Sequence, residues 1–217
     1  LTPDGQAYAY QDCLDFLKVY DCVAEVIKNP QDYYDVTFDY LKRNAEEGAI
    51  YIEMMYSPDH AEMVTKIPSR EHLAAISQAI DDCEQQFQIT GRIIITAVRH
   101  FGVDASIRVA QGALKDRLPC VVGFGLGGDE VNFPPKLFTR AYQIADAGGL
   151  ACTVHAGEHV GAEGMMEAMD YLPIRRFGHG VLSIHSPETM ARVIDKNIAL
   201  ELCPSSNVCL GLFPSVV

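Results

Sequence analysis

Two hydrophobic periods alternate along this chain, and that alternation restricts its fold more than any other feature. Stretches with apolar residues at helical spacing are followed repeatedly by short apolar or β-branched runs. Cys13, Phe16, Leu17, Tyr20, Val23 and Ile27 mark one face of a helix predicted from about Tyr8 to Lys28, ending before Pro30. A second helix is expected over about Gln31 to Glu47; Gly48 stops it and the strand Ala49 to Tyr56 follows. The next cycle begins with Ser69 as N-cap, runs to Thr90, ends on Gly91 and leads into the strand Ile93 to Val98. Four further strands read as Cys120 to Phe124, Leu150 to His155, Arg175 to Gly178 and Ile198 to Leu202. Helices are expected between them at about Asp104 to Lys115, Pro134 to Ala147, Val160 to Tyr171 and Pro187 to Lys196. Pro134 and Pro187 suit first helical turns, and Ser186 suits an N-cap.

Strands that alternate with helices imply right-handed parallel crossovers and an α/β sheet covered by helices. Six such strands fit an open doubly wound sheet or the wall of a closed barrel. The polar residues favour the barrel. Ser57, Arg99 and His100, Asp129 and Glu130, His155 and Glu158, His179, and Ser205 and Asn207 all stand just past a strand. Such a ring at the C-terminal strand ends is the active face of a (β/α)8 TIM barrel. An open sheet would gather its site at one switch point, beside a Gly-rich phosphate loop, and no such loop follows any strand.

Composition narrows the function. With 48% hydrophobic and 21% charged residues, the 217-residue chain can bury a substantial core, as a single domain over 1–217. Seventeen basic against twenty-nine acidic residues leave a formal charge of −12, which disfavours nucleic acid as a partner. No apolar run reaches the roughly 20 residues of a membrane span, and no signal-peptide pattern is visible. The seven scattered Cys read as buried free thiols of a reducing, cytoplasmic compartment. A small neutral or cationic molecule is the ligand class that remains.

Three segments carry chemistry. In Thr153-Val154-His155-Ala156-Gly157-Glu158 an apolar strand ends in a histidine, two small residues and a carboxylate. A metal-ligating imidazole beside a carboxylic acid is the pairing that metal-assisted hydrolysis needs. In Arg176-Phe177-Gly178-His179-Gly180 a histidine between glycines can approach a ligand closely. In Gly127-Gly128-Asp129-Glu130 two glycines let backbone N–H groups come near a flat ligand. Each segment alone is matched as well by an ordinary polar turn. Three at the same end of three consecutive strands are not.

These segments, in this order, resemble the adenosine deaminase family. The likeness runs through YSP at Tyr56 to Pro58, VRHFG at Val98 to Gly102, VVGFGLGGDE at Val121 to Glu130, TVHAGE at Thr153 to Glu158, RFGHG at Arg176 to Gly180 and LCPSSN at Leu202 to Asn207. It implies a (β/α)8 metal-dependent hydrolase with one Zn2+. It implies His155 as a zinc ligand, Glu158 as the general acid toward purine N1, and His179 as the group that orients and deprotonates the attacking water. The backbone of Gly128 would bond purine N3. Phe16, Leu17 and Tyr20 would form an apolar lid near the substrate, although ordinary helix packing gives the same pattern. The cytidine-type pattern H-x-E…P-C-x-x-C is absent.

The GGDE loop favours adenosine, and with it 2'-deoxyadenosine, as the purine nucleoside converted to inosine and ammonia. Adenine, AMP or another amidohydrolase substrate is the alternative, and a non-catalytic deaminase-like binding protein a second one. The family's first strand carries a His-x-His pair and its eighth ends in an Asp-Asp pair; no His-x-His occurs in this sequence, and no Asp-Asp follows its last expected strand. The chain is therefore expected to represent about strands two to seven of the barrel, with His155 as its one zinc ligand and no activity by itself. His100, His159 and His185 have no counterpart among the family's ligands.

Overall fold

The computed structural model describes residues 13–115 and 117–216. Six strands, β1 (Tyr51–Tyr56), β2 (Thr90–Val98), β3 (Val121–Gly127), β4 (Ala151–Ala156), β5 (Arg176–His179) and β6 (Ala199–Glu201), pair in parallel in sequence order. Helices α1 (Cys13–Ala24) and α2 (Pro30–Glu46) precede β1. The strands are connected through α3 (Pro58–Thr65) with α4 (Ser69–Phe87), α5 (Val103–Lys115), α6 (Thr139–Ala147), α7 (Ala162–Tyr171) and α8 (Pro187–Asp195), and α9 (Pro204–Cys209) follows β6.

The sheet curls into the wall of a (β/α) barrel. Strands β1 and β5 stand four places apart, about 19 Å in a flat sheet at ~4.8 Å per strand. Yet Arg176 on β5 places Nη2 2.6 Å from Glu53 Oε2 on β1, and its Nε lies 3.0 Å from Glu201 Oε1 on β6. Glu201 also accepts the Thr153 hydroxyl at 3.2 Å. Inward residues therefore meet across the barrel. The opposite strand faces build the helix-covered core, where Ile93, Ile95 and Ala97 of β2, Phe124 and Leu126 of β3, and Val154 and Ala156 of β4 are buried. Period-two alternation separates the two sets. Tyr142 of α6 ties the outer layer to the wall by donating its hydroxyl to the Thr153 carbonyl at 2.6 Å.

Several boundaries differ from expectation. The described part of the first helix ends at Ala24, and residues 8–12 of the expected span lie outside the described residues. Asn29 caps α2 in a reciprocal pair with Asp32. Ser69 is the first residue of α4 and does not cap it; Pro68 holds the cap position. Helix α4 stops at Phe87 through a left-handed Gln88, and Gly91 lies inside β2 because Ile80 packs onto it. Pro134 precedes a 3-10 turn, Pro135–Phe138, before α6 begins. Ser186 caps α8 as expected. Helices α3 and α9 were not anticipated. The cysteines divide: Cys83, Cys120 and Cys152 are buried, whereas Cys22, Cys203 and Cys209 are exposed, against the expectation that all are core thiols. No described helix is long and apolar enough to cross a membrane.

Candidate active site

The C-terminal ends of the strands enclose a cavity of about 380 Å³. It is lined by Phe16, Leu17, Tyr20 and Asp21 of α1, by His60 and His100, and by Gly128, His155, Glu158 and His179. The residues to which the resemblance assigns roles, Phe16, Leu17, Tyr20, Gly128, His155, Glu158 and His179, all line this cavity, whereas Arg99, Asp129, Glu130, Ser205 and Asn207 do not.

His155 occupies the next-to-last position of β4. Its Nδ1 lies 3.1 Å from the Leu126 carbonyl on β3, leaving Nε2 to take whatever the cavity holds. Gly178, its register partner on β5, makes room: a Cβ there would sit 3.1 Å from the imidazole Cγ. Burial, with His179 and Arg99 nearby, pulls His155 down to about 4, so the ring is neutral near pH 7. A neutral imidazole held through one nitrogen by a carbonyl is the form that binds a metal ion.

Beyond β4 the chain turns through Gly157 and brings Glu158 back over the cavity, 8% exposed. Glu158 Oε1 stands 3.4 Å from His179 Nδ1, and its Oε2 3.5 Å from His159 Nε2. Burial first, then the charge of Glu130, pushes its carboxyl up to about 7. Both histidines are themselves lowered, chiefly by burial, and so give it no cationic partner near neutrality.

His179 ends β5 with φ +64, an uncommon backbone state for a residue with a side chain. Its Nδ1 meets Asn207 Nδ2 of α9 at 3.0 Å, and the same amide nitrogen lies 3.5 Å from Glu158 Oε1. The His179 and His155 rings stand 5.2 Å apart between centroids. Gly128 bends at φ +97, and a Cβ there would approach His100 Nδ1 to 2.9 Å. The backbone thus enters the cavity wall where a side chain would collide with His100.

Two buried charges hold the turn between β4 and α7. Arg99, fully buried at the end of β2, donates to the His155 carbonyl and, at 2.7 Å, to the Phe133 carbonyl. Glu130, 3% exposed, accepts the backbone N–H groups of Gly157 and His159 at 2.7 Å, Glu158 at 3.2 Å and Val160 at 3.4 Å. Asp129 closes its own turn through Asn132. Sequence reasoning had grouped Asp129 and Glu130 with a ligand loop and had no measure of this reach across 27 positions. It also missed Asp21 and His60, paired at 3.0 Å beside Tyr20 and Phe101. Asp21 follows Leu17 and Tyr20 at helical spacing, and that signal was legible; His60 lies on the unforeseen α3.

As a zinc site the described residues are partial. His155 has the geometry of one ligand, but no group of three or more His, Cys, Asp or Glu among the described residues could hold an ion.

The adenine deaminase of Chelativorans sp. (strain BNC1) is 40% identical over 210 residues, 97% of this chain and 64% of that protein. The crystal structure of adenine deaminase from Arthrobacter aurescens superposes with a TM-score of 0.91 at 29% identity, covering 96% of this chain and 63% of that one. An amidohydrolase from Burkholderia ambifaria, solved with bound Zn, superposes at a TM-score of 0.82 and 28% identity over 87% of this chain and 52% of its own. The chain thus spans less than two thirds of the length of these relatives. The adenosine deaminase family pattern matches residues 5–216, and the chain belongs to that family.

Proposed function

We propose that the full-length protein hydrolytically deaminates a 6-aminopurine, with the free base adenine as its preferred substrate. The observation that carries this reading is the convergence of His155, Glu158, His179 and the Gly128 backbone on one cavity. Adenine is chosen over the adenosine suggested by the GGDE loop because the 40% identical relative bears the name adenine deaminase. The reaction takes water and adenine to hypoxanthine and ammonia: a C6–O bond forms and the C6–N6 bond breaks.

Aromatic C6 is a poor electrophile, so the ring must gain a proton as water attacks. Glu158 gives its proton to purine N1, which removes electron density from C6. His179, neutral near pH 7, accepts a proton from the attacking water and orients it. The Gly128 backbone bonds N3 on the far edge of the purine, while Phe16, Leu17 and Tyr20 cover its face and exclude bulk water. His155 would hold a zinc ion through Nε2, with the other ligands supplied by the His-x-His and Asp-Asp segments that the resemblance implies. Zinc, when bound, makes water nucleophilic at neutral pH.

The test is an absorbance assay of the full-length zinc protein on adenine, adenosine and AMP. kcat/KM for adenine should exceed the others by about tenfold or more. A preference for adenosine or AMP would overturn the substrate assignment, and no ammonia from any purine would overturn the reaction.

A further inference from the structure

Resting on that reading of Glu158, we propose that Glu130 is a positioning residue for the general acid: its buried carboxylate holds the Gly157–Val160 backbone so that Glu158 faces the substrate. Glu130 gives its two oxygens to four consecutive N–H groups, at 2.7, 3.2, 2.7 and 3.4 Å. These groups lie before the first residue of α7, Ala162, and no carbonyl of that turn is paired with them. Without Glu130 four backbone donors would lose the acceptor that the structure gives them.

The arrangement is specific to an anion with two oxygens. A glutamine would present one acceptor, and its NH2 group would oppose donors on the other side. Arg99 clamps the preceding carbonyl of His155, so the turn is held by opposite charges at its two ends. Helix α7 lies close against the clamp as well. A Cβ at Gly164 would come to 3.2 Å from Glu130 Oε1, so an added methyl group there requires the carboxylate to give by a few tenths of an ångström.

The experiment compares Glu130→Gln, Gly164→Ala and Glu158→Gln in the full-length zinc protein. It reads adenine kinetics, amide hydrogen exchange at Gly157 to Val160, and melting temperature. Glu130→Gln should speed exchange at those amides while strand amides of β2 and β3 keep their protection. It should lower kcat by about 10²-fold with little change in KM, the size of effect expected when a catalytic group is displaced by about 1 Å. Gly164→Ala separates positioning from mere stability, because alanine favours helix over glycine. It should melt no lower than the wild type and yet speed the same exchange and lower kcat several-fold. It also keeps the idea testable if Glu130→Gln does not fold. Unchanged exchange, or faster exchange with wild-type kcat, in whichever variant folds would overturn the proposal. If Glu158→Gln retains full turnover, the deamination reading fails instead, and the exchange measurement still decides whether Glu130 holds the turn.

Discussion

Burial and the Glu130 charge push the Glu158 carboxyl up to about 7, so near neutrality much of it carries the proton that a general acid must give. The same shift has a stability consequence with a definite sign. The ordinary value is 4.5, and the folded state binds the proton more tightly than the unfolded chain does. Stability from this group is therefore highest below 4.5 and is lost as the pH rises through about 7. Glu158→Gln removes the titration. The metal-free variant should melt higher than the wild type at pH 8 and show a flatter stability profile between those two values. In the full-length zinc protein it should keep its metal but lose about 10²–10⁴-fold in turnover, the usual contribution of a general acid. His155→Ala should behave oppositely, with zinc content falling together with activity. Metal analysis and calorimetry on the two variants check both; a zinc-replete, folded His155→Ala would place that ring outside the coordination sphere.

At the level of elements, the turn after β4 depends on a residue with no side chain. Gly157 has φ +71, and a Cβ there would lie 2.4 Å from Met165 Sδ and 3.2 Å from Gly180 Cα. Gly157→Ala combines a strained backbone, about 1–3 kcal/mol, with displacement of a fully buried methionine, again about 1–3 kcal/mol. Urea unfolding should show a clear loss, and a midpoint equal to wild type would mean that the turn rebuilds without strain. The neighbouring elements show what could be read in advance. Strands β2, β3 and β4 were legible because apolar runs bounded by Gly or Pro leave few alternatives. Helix α9 was not, because LCPSSN reads as a polar loop until Asn207 is seen buried against His179. Gly91 was read as a helix terminator, since a glycine stop and a glycine under Ile80 look alike without the packing. His155, Glu158 and His179 could be singled out because three polar segments recur at the same end of three consecutive strands, and all three line the cavity. The partners of Glu130 could not be read from the sequence because they lie 27 to 30 positions away.

Considered as a whole, the molecule closes across its interior through side chains, while backbone closure is lacking among the described strands. Arg176 bridges Glu53 and Glu201, but β1 pairs only with β2, and β6 only with β5. Each end strand therefore shows an unpaired row of N–H and C=O groups, which favours pairing with another copy. Apolar side chains are exposed near both ends: Ile50, Tyr51 and Met55 at β1 and Leu202 just past β6. Among the described residues no group of three or more His, Cys, Asp or Glu could hold a metal that would compensate. Ligand-linked stabilisation grows with affinity as RT ln(1 + [L]/Kd), and a single imidazole binds zinc weakly. The 217-residue chain expressed by itself should consequently sediment as species larger than its 23.9 kDa monomer. Its melting temperature should not move when zinc is added, and it should release no ammonia from adenine. Analytical ultracentrifugation with and without zinc, followed by thermal scans, makes the comparison. A monomer stabilised by zinc would mean that this span contains a complete site, and the assignment of His155 as its one ligand would have to be abandoned.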